Sequence, residues 1–249
     1  MDMIKVDNVS YFYENSNALP VIHNLSFTVK KGEFVSIIGP SGCGKSTLLR
    51  IIAGLINANT GHVSYKGRAI EKPISEISFV FQDFALLPWL TNEENMKLGL
   101  SRTNISEHAK EKRIQEWVDK VGLSGFEDFY PNAISGGMKQ RVGIVRAIVS
   151  QPIVLLMDEP FSALDELTAN ELRNEILYML REKNISVDSV IMVTHNVEEA
   201  VELSDKVIVL SAKPSHVKAT VKIKLPQPRN RFSSEFSEYV TKLYNLLIS

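Results

Sequence analysis

The sequence is poor in cysteine and has no long apolar run, and both absences narrow the range of functions. Cys43 is the single cysteine in a chain of 249 residues, which excludes an internal disulfide and suits a reducing compartment. No apolar run approaches the roughly 18–20 residues that a membrane-spanning helix requires. The first residues also lack the secretory pattern of basic residues followed by an apolar stretch. The sequence therefore predicts a cytoplasmic protein, and any membrane function would need another chain that crosses the bilayer.

Neither sign of charge is in excess. The 28 basic residues (Lys and Arg) nearly balance the 29 acidic residues, and the formal net charge is −1. A surface that binds nucleic acid needs a clustered basic surplus, so the composition argues against a nucleic-acid partner. The hydrophobic share of 44% can form a substantial core, and the length fits one large domain or one domain with a lobe.

Hydrophobic periodicity divides the chain into an α/β part and a mainly helical part. Short runs rich in β-branched residues predict strands towards both ends of the chain, whereas residues 92–149 have apolar positions at helical spacing. This pattern predicts an α/β core of residues 1–87 and 150–249 with an inserted helical lobe at 88–149. Strands are predicted at 4–10, 25–29, 33–38, 61–65, 77–81, 153–157, 190–193, 206–210 and 217–223, and helices at 46–53, 166–182, 197–203 and 236–247.

Residues 39–47 read Gly-Pro-Ser-Gly-Cys-Gly-Lys-Ser-Thr and match the phosphate-loop pattern G-x-x-x-x-G-K-[ST], between a predicted strand and a predicted helix. Glycines allow backbone N–H groups to turn towards an anion, and the helix adds the positive end of its dipole. Lys45 can bring a positive charge to the β- and γ-phosphates, and the Ser46 hydroxyl can ligate Mg²⁺. We interpret Cys43 as a tolerated small residue rather than a redox switch. The predicted nucleotide-binding residues of this loop are Gly39, Pro40, Ser41, Gly42, Cys43, Gly44, Lys45, Ser46 and Thr47.

An apolar run at residues 153–157 is followed by two acidic residues, Asp158 and Glu159. Charges at the end of a buried strand are costly, and open α/β sheets bind their ligands at the carboxyl ends of the strands. Asp158 is predicted to hold Mg²⁺, mostly through water, and Glu159 to polarise the water that attacks the γ-phosphate. The alternative is a turn that merely ends a strand, and the phosphate loop upstream argues against it.

Residues 134–141, Ile-Ser-Gly-Gly-Met-Lys-Gln-Arg, resemble the signature motif of ABC ATPases, and the resemblance extends over residues 4–210. A turn of small residues that leads into a helix is a second anion site. Because one chain with one ATP does not need two such sites, the resemblance implies a head-to-tail pair. In that pair, Ser135, Gly136 and Gly137 of each copy cap the γ-phosphate bound to the other. The resemblance also implies a P-loop NTPase core, with a mixed sheet, flanking helices and an antiparallel β subdomain. The helical lobe would carry the signature within a single ABC ATPase domain of residues 1–249.

Three further residues correspond to positions of this family. Gln82 resembles the Q-loop glutamine, which touches Mg²⁺ or water, and Asp165 resembles the D-loop aspartate, which crosses to the partner subunit. His195 resembles the switch histidine that contacts the γ-phosphate, whereas on its own it would be interpreted as a packed or solvent-exposed histidine. The resemblance therefore implies a catalytic set of Lys45, Gln82, Glu159 and His195, with Ser46, Gln82 and Asp158 as metal ligands.

An aromatic residue near the start of the chain is predicted to bind the adenine ring. Tyr13 resembles the residue that stacks on the base in this family. A ring face accepts the base without reading its edges, so the neighbouring Tyr11 or Phe12 could fill the same role.

The segment after Gln82 is predicted to contact a membrane subunit. Residues 84–90 read Phe-Ala-Leu-Leu-Pro-Trp-Leu, and in the family this region forms a groove for a coupling helix; the alternative is that these side chains belong to the core of the lobe. The resemblance implies ATP and Mg²⁺ as cofactors. The implied partners are a second copy of the chain, transmembrane permease subunits and a solute-binding protein, at the cytoplasmic face of the cell membrane. Leu-Leu-Pro-Trp-Leu-Thr further resembles importers of nitrate, sulfonates and taurine, although an ATPase does not touch the cargo.

The sequence leaves other functions open. A soluble ABC ATPase of repair or translation usually carries coiled-coil insertions or two ATPase units, whereas this chain has one phosphate loop and no sustained heptads. A P-loop phosphotransferase would not explain residues 135–137 or Asp165, and a non-enzymatic scaffold would not need every catalytic position filled. Export rather than import also stays open.

Overall fold

The computed structural model describes residues 2–13, 20–162, 169, 173 and 187–248. Asp165 and, apart from Ala169 and Arg173, the predicted helix at 166–182 lie outside these ranges. Contacts divide the chain into two units: unit 1 is Met1–Ile74 with Asp188–Ser249, and unit 2 is Ser75–Val187. The strands are β1 (Asp2–Tyr11), β2 (Ile22–Lys30), β3 (Phe34–Ile38), β4 (Thr60–Tyr65), β5 (Arg68–Ala69), β6 (Ile77–Val80), β7 (Val154–Asp158), β8 (Ser189–Val193), β9 (Lys206–Leu210) and β10 (Val217–Lys222). The helices are α1 (Lys45–Ile52), α2 (Asn92–Lys97), α3 (Glu107–Lys120), α4 (Gly136–Ile148), α5 (Val197–Leu203) and α6 (Ser234–Ile248), with short 3₁₀ turns at Leu98–Leu100 and Pro131–Ala133.

Unit 1 contains an antiparallel sheet in the order β2-β1-β4-β5. Its central strand β1 pairs with β2 and β4, so that Ile4 lies opposite both Val29 and Tyr65. Met3, Ile4, Val6 and Val9 are almost completely buried along β1. Burial of these apolar side chains, at about 25 cal/mol per Å² of apolar surface, stabilises the sheet against the rest of unit 1.

Unit 1 also contains a mainly parallel group of strands, in which β3 lies between β8 and β9 and β10 is an antiparallel edge strand. All residues of β3, β8 and β9 are buried, as expected for parallel strands that are covered on both faces. Because β3 and β8 run in the same direction, with Ile37 paired to Val193, their carboxyl ends reach the same edge. The phosphate loop follows β3 and His195 follows β8, so the fold brings these two sequence motifs to one edge of unit 1.

Helices α5 and α6 cover one face of these strands. Their apolar residues join a single cluster with residues of β3, β9 and β10, including Val201, Val209, Phe236 and Leu243, all of which are buried. The hydrophobic spacing of 236–247 predicted the helix, and the structure confirms it with longer ends at Ser234 and Ile248.

Unit 2 combines the parallel pair β6 and β7 with helices α2, α3 and α4. Val80 pairs with Met157, so the chain leaves both strands at the same edge. Helix α3 buries Ile114, Trp117 and Val118 at the spacing that the sequence predicted. The unit also includes residues 75–87 and 150–187, which the sequence analysis grouped with the α/β core. The inserted lobe at 88–149 stays a prediction.

The structure confirms the predicted fold class, with parallel strands, an antiparallel sheet and flanking helices. Observed strands and helices differ from the predicted ones mainly at their ends, where hydrophobic patterns carry the least information. Within the described ranges, no helix is both long enough and apolar enough to cross a bilayer.

Candidate functional site

The loop between β3 and α1 has a backbone shape that requires glycine. Gly42 and Gly44 have φ values of 71° and 104°, a backbone conformation that residues other than glycine rarely adopt. A Cβ atom on Gly44 would also lie 2.7 Å from Cγ1 of Val21. Gly44 is the N-cap of α1 and, having no side chain, makes no side-chain capping bond, so this end of the helix presents the positive end of its dipole to the loop. The loop is shaped to receive an anion.

The Lys45 side chain folds back over this loop. Its Nζ donates hydrogen bonds to the carbonyl oxygens of Gly39 (3.0 Å) and Pro40 (3.1 Å), and the residue is 7% exposed. A phosphate oxygen is a stronger acceptor for a charged donor than a neutral carbonyl. The same ammonium group can therefore turn from the carbonyl oxygens to a triphosphate held by the loop.

Cys43 lies inside the loop and is buried. Burial raises the pKa of its thiol, while the charge of Lys45 acts in the opposite direction. A redox-active cysteine needs an exposed thiolate, so these surroundings support the interpretation of Cys43 as a tolerated small residue. Its Sγ would lie 3.0 Å from a Cβ atom on Gly39, which shows how closely the loop is packed.

Tyr13 contacts the start of α1. Its hydroxyl lies 3.2 Å from Oγ1 of Thr47, and its ring packs edge-on against Tyr11 at a centroid distance of 5.2 Å. Tyr13 is 53% exposed, so a ring face is accessible to a flat ligand. Phe12 instead has its backbone N–H bonded to Asn59. The contact with Thr47 favours Tyr13 for the adenine-stacking role, which stays a prediction.

His195 is exposed directly after β8, in unit 1 with the phosphate loop. The Thr194 N–H donates to the carbonyl of Ile37 (3.3 Å), so the β8–α5 turn lies beside the start of that loop. Because its side chain is exposed, His195 is not a packed core histidine.

The residues that hold the β8–α5 turn were missed by the sequence analysis. Asn196 caps α5, and Thr194 Oγ1 donates to the buried carboxylate of Glu199 (2.7 Å). An asparagine before an apolar helical run was the available signal for the cap.

In unit 2, Gln82 and Glu159 meet where β6 and β7 end. Nε2 of Gln82 donates to Oε2 of Glu159 at 3.4 Å. Asp158, the last residue of β7, is 3% exposed, and Glu159 has a left-handed φ of 47°. Both Ser162 N and Ser162 Oγ donate to the Glu159 carbonyl, at 3.2 and 3.0 Å. The structure thus brings together two of the predicted catalytic residues.

The signature residues form the N-terminus of α4. Ser135 caps this helix by accepting a hydrogen bond from Met138 N (3.3 Å), and both Ser135 and Gly136 are exposed. A Cβ atom on Gly136 would meet nothing within 4 Å, so the first turn faces open space. Gly137 follows in the same turn. This part of unit 2 is therefore accessible to an anion on another molecule.

Three long polar side chains of unit 2 hold loops near the predicted site and were missed by the sequence analysis. Asn95 is fully buried and bonds to backbone atoms of 87–91. Arg146 donates to the carbonyl oxygens of Phe84 and Ala85, and Gln140 donates to the carbonyl of Pro160.

The segment predicted to receive a coupling helix contains both buried and exposed residues. Phe84 is buried, which fits the alternative that its side chain belongs to the core of the lobe. Trp89 is 69% exposed, so the groove prediction remains open for it.

The predicted metal ligands supply oxygen atoms of the type that Mg²⁺ prefers: the Ser46 hydroxyl in unit 1, and the Gln82 amide and Asp158 carboxylate in unit 2. Among the described residues, no cluster of three or more His, Cys, Asp or Glu could hold a metal by itself. Mg²⁺ commonly binds through one or two carboxylates together with substrate phosphates. Each unit by itself therefore supplies oxygen donors of the kind that binds Mg²⁺ together with substrate phosphates, and the magnesium ligands stay a prediction.

Comparison with known proteins identifies the family. The ABC transporter family matches residues 22–162. An uncharacterized ABC transporter ATP-binding protein of Methanocaldococcus jannaschii is 44% identical over 98% of this chain and 91% of that protein. The aliphatic sulfonates import ATP-binding protein SsuB of Bacillus anthracis is 43% identical over 96% of this chain and 94% of that protein. The nitrate import ATP-binding protein NrtC of Synechococcus elongatus is 39% identical over 92% of this chain and 35% of that protein.

Solved structures give the same result. A dimeric ATP-binding cassette in a post-hydrolysis state, bound to ADP and Pi, has a TM-score of 0.78 and 33% identity, over 90% of this chain and 100% of that chain. These similarities confirm the predicted family, fold and ATPase activity, while the roles of individual site residues stay predictions. The chain belongs to the ABC transporter family, as one of its ATP-binding, ATP-hydrolysing subunits.

Proposed function

We propose that this chain works as a head-to-tail homodimer whose ATP hydrolysis powers an importer of a small anion, such as a sulfonate, taurine or nitrate. The catalytic part of this proposal rests on the 3.4 Å hydrogen bond between Gln82 Nε2 and Glu159 Oε2. It joins an amide and a carboxylate, which are the groups needed to orient a water molecule and accept its proton. The similarity to the import ATP-binding proteins SsuB and NrtC supports the anion class.

The phosphate loop binds the triphosphate in this proposal. Backbone N–H groups of residues 42–47 surround the phosphates, and Lys45 Nζ moves from its two carbonyl acceptors to the β- and γ-phosphates. Tyr13 stacks on the adenine. Mg²⁺, held by Ser46, Gln82 and Asp158, would neutralise charge on the β- and γ-oxygens when bound. The loop geometry and the oxygen donors support this assignment.

Hydrolysis then depends on groups that surround the γ-phosphate. Glu159 accepts the proton of the attacking water while Gln82 keeps its carboxylate oriented. His195 contacts the γ-phosphate, and Ser135, Gly136 and Gly137 of the second copy cap it. The proposed D-loop residue Asp165 crosses to that copy. The exposed first turn of α4 and the exposed His195 support these roles.

The membrane part of the proposal rests on the segment after Gln82. Residues 88–149 act as a helical lobe, and Leu86 and Trp89 receive a coupling helix from transmembrane permease subunits at the cytoplasmic face of the membrane. The 69% exposure of Trp89, a large apolar residue, supports a contact with another molecule. A solute-binding protein delivers the anion to the permease.

Glu159→Gln tests the hydrolytic role. We expect kcat to fall about 10²–10⁴-fold, which is the usual contribution of a general base, while ATP binding persists. The variant should accumulate as an ATP-bound dimer in light scattering. Glu116→Gln changes an exposed residue of α3 and serves as the matched control. Hydrolysis at the wild-type rate by Glu159→Gln would remove Glu159 from this role, and a variant that stays monomeric in saturating ATP would refute the dimer.

The solute requires a separate experiment. The chain and its permease partners, reconstituted in proteoliposomes, should take up an alkanesulfonate, taurine or nitrate only with wild-type Glu159 and ATP. A soluble ABC ATPase is the alternative, and recovery of the purified complex without a multi-span membrane protein would favour it. Full-length similarity to import ATP-binding proteins argues against that alternative.

A further inference from the structure

The turn that carries Glu159 has an uncommon backbone shape that neighbouring groups must maintain. Its φ of 47° lies in the left-handed region, which non-glycine residues rarely adopt. Ser162 holds one side of the turn through two hydrogen bonds to the Glu159 carbonyl. The next residue, Pro160, has no N–H group, so only its carbonyl can form a backbone hydrogen bond. The Pro160 carbonyl is therefore a further point at which this turn can be held.

Gln140 of helix α4 supplies that contact. Its Nε2 donates to the Pro160 carbonyl, and the residue is fully buried. Its Oε1 has no hydrogen-bond partner within the ranges that the structure describes. The bond to Pro160 is thus the contact that orients this amide. A buried polar group whose one hydrogen bond is broken destabilises the fold, because it is left without a partner away from water.

Helix α4 also holds the loop on the other side of the Gln82–Glu159 contact. Arg146 donates to the carbonyl oxygens of Phe84 and Ala85, both of which have positive φ values. Gly143 packs so closely on Phe84 that a Cβ atom there would lie 2.9 Å from the Phe84 Cβ. One rigid helix therefore contacts the segments that follow both Gln82 and Glu159.

We propose that Gln140 is a positioning residue for hydrolysis, which fixes the turn of Glu159 to the signature helix α4. This inference rests on the proposed role of Glu159 as the general base. It assigns Gln140 to the chemical step, because its contact is with Pro160, the residue that directly follows the proposed general base. A small displacement of a catalytic group is expected to lower kcat by about 10–10²-fold.

A purely structural role for Gln140 is the competing explanation, and Asn92 provides a matched control. Asn92 is also a buried amide of unit 2, with 1% exposure. Its Nδ2 donates to a backbone carbonyl, that of Phe126, at 2.7 Å, and within the described part of the chain its Oδ1 has no partner. Asn92→Leu therefore removes the same kind of bond from helix α2, where the acceptor is Phe126 and not a residue of the Glu159 turn.

The first experiment compares the ATPase kinetics of Gln140→Met and Asn92→Leu in the full chain. We expect kcat of Gln140→Met to fall about 10–10²-fold with KM for ATP changed by less than about threefold, because transition-state positioning is lost and ATP binding is not. Asn92→Leu should stay within about twofold of wild type in kcat despite a similar fall in Tm. Equal kcat for the two variants would overturn the proposal. If Gln140→Met does not fold, Gln140→Leu is a second apolar variant that cannot donate a hydrogen bond, and the same comparison applies.

A second measurement uses the Glu159→Gln background, in which no carboxylate is left to position. Adding Gln140→Met should leave the ATP-dependent dimer and its ATP midpoint unchanged within about twofold, since the proposed effect acts only on the chemical step. Loss of that dimer would show that Gln140 serves the structure of the signature helix instead. An inactive wild type, or an active Glu159→Gln variant, would contradict the proposed function on which the inference rests, whereas equal kcat values for Gln140→Met and Asn92→Leu beside an inactive Glu159→Gln would contradict the role of Gln140 alone.

Discussion

Gly44→Ala should destabilise the protein more than Gly42→Ala, although both substitutions add one methyl group to the same loop. Gly42 and Gly44 have φ values of 71° and 104°, so each variant incurs the cost of an L-residue in a left-handed conformation, about 1–2 kcal/mol. The two positions differ in free space. A Cβ on Gly42 meets nothing within 4 Å, whereas a Cβ on Gly44 lies 2.7 Å from Val21 Cγ1 and 3.2 Å from Ile22 Cγ1.

The additional steric overlap sets the size of the expected difference. Overpacking at a well-packed site costs about 1–3 kcal/mol, so Gly44→Ala should lose about 2–5 kcal/mol in total and Gly42→Ala about 1–2 kcal/mol. Urea unfolding measures these free energies of unfolding. The experiment is done without nucleotide, because binding of a nucleotide to the folded state would raise the apparent stability. In a chain of this size, each 1 kcal/mol also lowers Tm by roughly 2–4 °C.

A second substitution separates the steric overlap from the backbone strain. Val21→Ala removes the Cγ1 atom that the new methyl group would meet, so the pair Gly44→Ala and Val21→Ala should be less destabilising than the sum of the two single changes by about 1–3 kcal/mol. Additive effects, or equal urea midpoints for Gly42→Ala and Gly44→Ala, would refute the steric explanation.

Three further predictions concern binding, pH and coupling. Lys45→Ala should weaken ATP binding by about 10–10²-fold, since a charge-assisted hydrogen bond contributes about 1.5–3 kcal/mol; unchanged affinity in a nucleotide titration would contradict it. Burial would raise the pKa of Glu33, but hydrogen bonds from Lys206 Nζ and the Lys30 N–H outweigh it and lower the pKa below its ordinary value of 4.5. The stabilisation is therefore present above pH 4.5 and is lost as the pH falls through the lowered value; Glu33→Gln should flatten that decline in acid unfolding, and an unaltered profile would exclude it. Replacing Leu86 and Trp89 with serine should reduce uptake in the reconstituted transporter far more than ATP hydrolysis, and intact uptake would exclude the groove.

The features that could be predicted from the sequence are those that depend on residues close together along the chain. The phosphate loop was predictable because its glycine spacing, the preceding buried strand and the following helix lie within one short segment. The family resemblance placed Gln82 and Glu159 in one predicted catalytic set, whose roles stay predictions, and the predicted fold class was confirmed. Asp165 lies outside the described residues, and its role stays a prediction.

Tertiary structure decided which side chains hold the catalytic segments. Gln82 and Glu159 are 77 residues apart, and they meet because β6 and β7 pair in parallel with Val80 opposite Met157. Arg146 reaches the Ala85 carbonyl across 61 residues, and Gln140 reaches Pro160 across 20. Local sequence determines backbone conformation through steric limits and hydrogen bonds within a few residues. The partners of a long buried side chain are set only when strands pair and helices pack, so the roles of Gln140 and Arg146 became visible only in the folded chain.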